Sequence, residues 1–265
     1  MRFDELDQRL RRFETTSDRF LPADAWLVAR VDGRSFTRLT RELHPFDAPF
    51  DPRFRDLMIA TARHLLVAGF RVAYAHTHSD EISLLFHRGE AAFGRKERKW
   101  LSVLAGEASG QFSVALGRPA AFDCRVSRLP DAEAVVDYFR WRQEDARRNA
   151  RNGHCHWLLR REGRSAAEST AHLDGLPIEA KDELLAARGT AFDALPAWQR
   201  HGIGLWWETI ERQARHGRTG APALARRKRL RVVLDLPGGE SYAALVEARL
   251  AEAEAGGPGS TGRGS

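Results

Sequence analysis

Apolar positions along the chain change their spacing several times, and each change marks an element. Phe3, Leu6, Leu10 and Phe13 recur at intervals of three and four, which predicts a first helix over residues 2–12. A nearly unbroken apolar run from Trp26 to Val31 then stops at Asp32-Gly33, the form of a buried strand that delivers a carboxylate to a sheet edge. Asp51-Pro52 opens a second helix, with Asp as its cap and Pro in its first turn, and Gly69 closes it. Residues 70–74 alternate weakly as a strand, His76-Thr77-His78-Ser79 reads as a polar turn, and Ile82 to Phe86 is a further strand. A helix over 96–112, a strand from Pro119 to Val126 and a long helix over 131–152 complete the series.

Strand, helix, strand, strand, helix, strand is the order of the split βαβ motif. The expected fold class is therefore α+β: a ferredoxin-like βαββαβ palm, polymerase-like, over residues 1–163. A mainly helical C-terminal appendage with a late basic strand is expected over 164–255, and a disordered Gly/Ser/Pro-rich tail over 256–265. In this topology the first and third strands are antiparallel neighbours. Asp32 ends one and Asp80 starts the other, so both carboxylates reach the same edge a few ångströms apart. Two such carboxylates repel, and one tends to hold a proton unless a cation joins them. Magnesium needs only one or two carboxylates beside phosphate oxygens and waters, so Asp32, Asp80 and a turn carbonyl suffice. Asp-Gly and Ser-Asp are also ordinary turn dipeptides, and the two positions alone leave that choice open. Glu81 is expected to point to the opposite face from Asp80, outside the ligand set.

Composition narrows the partners. The chain has 265 residues, 43% of them hydrophobic, enough for a sizeable core. No apolar run approaches the roughly 20 residues that span a bilayer, and the first residues lack the layout of a signal peptide. Two cysteines, Cys124 and Cys155, exclude a disulfide scaffold; together these features fit a cytoplasmic protein. A net charge of +6 suits a polyanionic partner and equally an ordinary basic protein.

Five segments, in order, resemble the tRNA-His guanylyltransferase family. They are Arg30-Val31-Asp32-Gly33-Arg34-Ser35-Phe36, Ser79-Asp80-Glu81, Phe122-Asp123-Cys124-Arg125-Val126, the Trp141-Arg142-Gln143-Glu144-Asp145 stretch, and the segment holding Lys181 and Glu183. The resemblance implies a metal-dependent 3′-to-5′ nucleotidyltransferase that adds nucleotides to the 5′ end of tRNA, by end repair or by G-1 addition to tRNA-His. It implies Asp32, the Gly33 carbonyl and Asp80 as ligands of two Mg²⁺ ions. It places ATP, GTP or another nucleoside triphosphate on Asp32, Gly33, Arg34, Ser35, Phe36, Thr37, Ser79 and Asp80, with Lys99 and its neighbour Lys96 on the triphosphate. The expected partners are tRNA and nucleoside triphosphates, with no membrane. A homo-oligomer is expected too, a tetramer by resemblance, for which the segment from Gly202 to Trp207 offers an interface. Eukaryotic members carry His-Ile-Asn-Asn where this chain has Arg147-Arg148-Asn149-Ala150, so it looks more like the bacterial and archaeal-type branch.

Basic residues extend the expected RNA surface. Arg147, Arg148 and Arg151 stand at helical spacing, and guanidinium groups pair well with phosphates. Arg226, Arg227 and Lys228, within the run to Arg231, suit an RNA backbone and equally a solvated strand. His154-Cys155-His156 does not read as a zinc site, because on a strand its cysteine faces away from both histidines. His76 and His78 read as solvated turn residues. Trp198, Trp206 and Trp207 either stack bases or fill a core or interface. Two rival functions remain: a catalytically silent tRNA-binding protein of the same fold, and another palm-type enzyme such as a nucleotide cyclase.

Overall fold

The computed structural model describes residues 2–215 and 222–255; the expected tail at 256–265 lies outside them. The elements run α1 (Phe3–Thr15), β1 (Trp26–Gly33), α2 (Phe36–Arg38) with a π-helical turn at Leu39–Leu43, and α3 (Pro52–Leu65). Then come β2 (Val72–His78), β3 (Glu81–Phe86), α4 (Glu97–Leu116), β4 (Phe122–Leu129) and α5 (Ala132–Arg161). The rest is α6 (Ala166–Leu173), α7 (Ile178–Ala186), α8 (Ala197–Arg200), β5 (Ile203–Arg215), β6 (Pro222–Val233) and α9 (Glu240–Ala255).

The strands form one antiparallel sheet in the order β4-β1-β3-β2-β5-β6. Its first four strands are the ferredoxin-like palm, with β1 and β3 paired at its centre. Helices cover both faces, which explains why the strands read as nearly continuous apolar runs. Leu27, Ala29 and Val31 of β1 pack with Ile82 and Leu84 of β3 under α3 and α4. Trp26, Val28 and Leu85 face the other way, against Phe139 of α5 and Val246 of α9. A smaller core around Cys155, Leu159, Leu173, Leu185 and Phe192 joins the second half of α5 to α6, α7 and the turn before α8.

The segment after residue 163 holds α6, α7, α8 and α9, and its late basic strand is β6. An unexpected strand, β5, joins it to the palm: β5 pairs with β2 from Ala75↔Leu205 to Thr77↔Ile203, and β6 pairs with β5 along its length. Trp206 is buried in the α5/α9 core, and Trp207 packs against the α3/α4 core. Gly202 to Trp206 are buried within the chain, so this segment offers no open interface. Its aromatic run is strand core.

Two further differences concern α5 and β2. The long helix continues past 152 to Arg161, because no proline intervenes and Gly153 keeps a negative φ, whereas Gly163 does not. His154, Cys155 and His156 are thus helical: His154 bonds the Gln199 side-chain oxygen at 2.9 Å, and Cys155 is buried. No group of three or more metal-binding side chains occurs among the described residues. His76 and His78 belong to β2 rather than to a turn. Each donates its Nε2–H to a backbone carbonyl, of His201 at 2.9 Å and of Gln199 at 2.8 Å. Burial holds both imidazoles below their usual range, His76 at about 4. They are neutral struts between β2 and the α8–β5 turn. No helix among the described residues is long and apolar enough to cross a membrane.

Candidate active site

Register brings the two sequence-predicted carboxylates together. Asp32 lies at the end of β1, directly opposite Glu81 on β3 and Asp123 on β4. Asp80 sits one residue before β3, in the turn from β2, and its carbonyl accepts the Gly33 N–H at 3.0 Å. A Cβ on Gly33 would lie 2.9 Å from the Asp80 Cβ and 2.5 Å from the Phe36 ring. Only glycine allows this approach. Gly33→Ala is therefore expected to push the turns apart and cost about 1–3 kcal/mol, read by thermal melting.

Both turns hold a serine in the left-handed region, Ser35 at φ 60° and Ser79 at φ 52°. Such backbone persists where the surroundings enforce it, and it clusters at functional sites. The Ser79 hydroxyl donates to Asp80 Oδ1 at 3.1 Å. Arg34 commits its N–H to Ala121 and exposes its side chain. Phe36 turns inward, 3% exposed, against Phe54, Phe112 and Phe122, so it can offer a ligand only backbone. Thr37 lines both cavities at the site.

Charge is unbalanced here. Burial pushes the Asp80 carboxyl up to about 6, with the nearby charges of Asp32 and Glu81 adding to the effect. Glu81 is raised by burial, while Arg142 and Arg30 pull it back. Arg142, itself 6% exposed, holds Glu81 at 2.9 Å and Asp145 at 3.6 Å. Glu81 was expected on the face opposite the site. It shares a face with Asp32 instead, because paired residues on adjacent strands point the same way and Asp80 lies in the turn. It is a third acid at the edge, neutralised by two arginines. The unneutralised pair with a turn carbonyl suits a hard divalent cation that takes its other ligands from phosphate and water. Two carboxylates alone do not make a zinc site.

Two cavities open from the pair. One, about 210 Å³, runs toward α3 between Phe46, Phe50, Phe54 and Trp198. The other, about 560 Å³, is polar and lies toward α5, lined by Asp32, Asp80, Glu81, Arg142 and Asn149. Sequence reasoning missed the aromatic wall. Its Phe-rich 46–54 segment carries no motif, and only ring contacts such as Phe46 with Phe54 and Phe50 with the distant Trp198 assemble it.

Other predicted residues lie apart. Lys96 and Lys99 stand at the start of α4, and this is a correction. Glu97 beside them pairs with Arg128 at 2.7 Å, near the Trp26↔Leu129 end of the sheet, six residues along β1 from Asp32. At the strand rise that is about 20 Å from the carboxylates. Lys96 pairs with Asp18 at 3.4 Å, and Lys99 is exposed. Within one chain neither reaches a triphosphate at Asp80. Arg147 and Arg151 face inward rather than along an open flank. Arg151 is buried, bonded to Asp182 at 2.6 Å and stacked on Phe192, and Arg147 bonds Asp193 at 3.0 Å. They tie α5 to the helices after it; Arg148 alone of the three is exposed, on Asp145 at 2.8 Å. Arg226, Arg227 and Lys228 are exposed on the β5–β6 ribbon, Arg226 paired with Glu211 at 3.0 Å.

A ferredoxin-like sheet with paired carboxylates on an Asp-Gly turn, beside an aromatic pocket, defines a palm-type protein. Comparison with known proteins gives the family. A tRNAHis guanylyltransferase model matches residues 7–130 and a Thg1 C terminal domain model residues 133–234. A probable tRNA(His) guanylyltransferase from Drosophila melanogaster is 31% identical over 195 residues, 70% of this chain and 68% of that protein. The chain belongs to the tRNA-His guanylyltransferase family. It matches the Arabidopsis thaliana tRNA(His) guanylyltransferase 1 at 28% identity across 84% of its own residues and only 40% of the plant protein's length. Its fold is that of a bacterial tRNA(His) guanylyltransferase-like protein solved with GTP, at a TM-score of 0.72 and 24% identity, covering 93% of this chain and 99% of that one.

Proposed function

We propose that the chain is a metal-dependent nucleotidyltransferase that adds nucleotides to the 5′ end of tRNA in the 3′-to-5′ direction. The observation that carries the reading is the Asp32–Asp80 pair, held by the Gly33 contact at the edge of a palm sheet in a chain of this family. Asp32, Asp80 and the Gly33 carbonyl would hold Mg²⁺. When bound, the ions lower the pKa of an attacking hydroxyl and balance the charge of a triphosphate. The aromatic pocket beside Ser79, walled by Phe46, Phe50, Phe54 and Trp198, fits the base of an incoming ATP, GTP or other nucleotide. The polar cleft beside α5 fits the RNA 5′ end. Arg142 and Arg30 keep Glu81 neutralised there, so that Asp32 and Asp80 alone present net negative charge.

The departure at Arg147 to Ala150 supports repair of truncated tRNA 5′ ends over a reaction restricted to tRNA-His. Arg227 and Lys228, exposed on the β5–β6 ribbon with Lys228 near His87 at the sheet end away from the carboxylates, suit RNA backbone beyond the 5′ end. We further propose a cytoplasmic homo-oligomer, supported by α1, whose Phe3 and Phe13 are 78% and 67% exposed and which buries no residue. Light scattering that returns the monomer mass would refute self-assembly.

The function is tested by incubating the protein with 5′-truncated tRNA, Mg²⁺ and nucleoside triphosphates. The 5′ end should lengthen with the native protein and not with Asp32→Ala. Binding without extension would favour a silent RNA-binding protein, and a cyclised nucleotide would favour a cyclase.

A further inference from the structure

A third cavity of about 500 Å³ continues the polar cleft away from the carboxylates, across α5 toward α6 and α7. It shares Arg41, Gly153 and Trp157 with the cleft and adds Asn152, His156 and Lys181. The cleft and this groove form one path that passes over Gly153. We propose that the groove holds the single-stranded 3′ tail of the RNA whose 5′ end lies at Asp32 and Asp80, with Gly153 as its threshold. The inference rests on the function proposed above and adds the strand that function does not place.

Charge and stacking point to a nucleic-acid strand. Arg41 projects from the π-helical turn with its guanidinium 5.5 Å from the centre of the Trp157 ring. Among the described residues neither Arg41 nor Lys181 has a carboxylate at ion-pairing distance, unlike Arg38, Arg53 and Arg55 nearby. Asp174 is the one acid in the groove's lining, against Arg41 and Lys181; burial and the Arg41 charge keep His156 neutral. Free cations spaced along an indole-backed channel hold phosphates while bases stack, which is how single strands are bound without sequence readout. A triphosphate at Asp80 explains less, because the groove leads away from the carboxylates and offers a stacking face that phosphates do not use. In a duplex end, the strand opposite the 5′ nucleotide leaves from the same point, so its tail finds the groove at the cleft's mouth.

Gly153 is the second observation. It lies inside the 30-residue helix α5, where glycine is unfavourable relative to alanine. Its backbone does not need glycine, since its φ is not among the positive ones. An added Cβ would meet only the Pro49 Cβ at 3.4 Å, an ordinary contact. Neither backbone nor neighbours demand the missing side chain. What it leaves is the opening between the two cavities.

The test compares two RNA hairpins in anisotropy titrations without nucleotide: one blunt-ended, one with a four-nucleotide 3′ overhang. The native protein should bind the overhang hairpin about tenfold more tightly or better. Gly153→Gln should remove that preference while leaving nucleoside triphosphate binding unchanged, since Gly153 lines the cleft and the groove but not the aromatic pocket. Arg41→Ala and Lys181→Ala should each lower the slope of log affinity against log salt by about 0.7. Gly153→Ala should keep the preference and raise the melting temperature, showing that the helix tolerates a side chain there. Equal binding of the two hairpins by the native protein overturns the proposal. So does a Gly153→Gln protein that keeps the preference or loses triphosphate binding instead. An overhang preference in a protein that never extends a 5′ end would refute the enzymatic reading and leave the groove standing.

Discussion

Asp80→Asn is expected to abolish the proposed 5′-end extension and, at neutral pH without metal, to make the protein more stable. The two effects have one cause. The folded protein holds the Asp80 proton more tightly than the unfolded chain does, with its pKa moved from 3.8 to about 6. Ionised Asp80 therefore costs stability. That cost is fully present above about pH 6, declines between pH 6 and 3.8, and is gone below. The move corresponds to at most about 3 kcal/mol, and solvent screening reduces it. Asparagine keeps the shape and can still accept the Ser79 hydroxyl that Asp80 Oδ1 now accepts. Calorimetry in chelator at pH 7.5 should show a melting temperature several degrees above the native protein's, and at pH 4 no difference. Mg²⁺ should raise the native melting temperature and leave that of Asp80→Asn unmoved. A variant that melts lower at pH 7.5 would mean the carboxylate is anchored by contacts that outweigh its desolvation.

How much of this was legible in the chain depends on which residues carried local signals. The palm was readable because its strands are short apolar runs bounded by Asp-Gly, Gly69 and Pro119, and because element order alone makes β1 and β3 neighbours. Asp32 and Asp80 could be placed at one edge by that order. Glu81 could not. Counting alternation from Asp80 assumes that Asp80 is a strand residue, and the left-handed Ser79 puts it in the turn, so the count starts one residue early. β5 was missed for another reason. Ile203 to Trp207 has no alternation because both of its faces are covered, and its partner β2 lies about 130 residues earlier. Lys96 and Lys99 look adjacent to the site in sequence order, but β3 carries the chain from Glu81 at the carboxylate edge to Phe86 at the far end of the sheet before α4 begins. The inward turn of Arg151 depends on Asp182, on a helix that no spacing ties to α5.

Arg142 gives the second large effect. Arg142→Met should cost about 2–4 kcal/mol, because it leaves the half-buried Glu81 beside only the more distant Arg30, at 3.6 Å, and frees Asp145 from one of its partners. The lost stacking on Trp141, whose ring centre lies 3.6 Å from the guanidinium, adds to it. Glu81 is already raised by burial, and Arg142 is the larger of the two charges that hold it down. Without it the Glu81 pKa rises further. The penalty is then present above that raised value and shrinks as pH falls toward the ordinary 4.5 of a glutamate. Glu81→Gln in the Arg142→Met background removes the stranded charge and should recover about 2 kcal/mol or more, whereas Glu81→Gln alone should destabilise by leaving Arg142 with Asp145 only. Urea melts of the four proteins at pH 7.5 close the cycle. If the two substitutions simply add, Glu81 and Arg142 do not act as a neutralising unit. The third acid would then belong with Asp32 and Asp80, and the site would carry three negative charges to be met by metal rather than two.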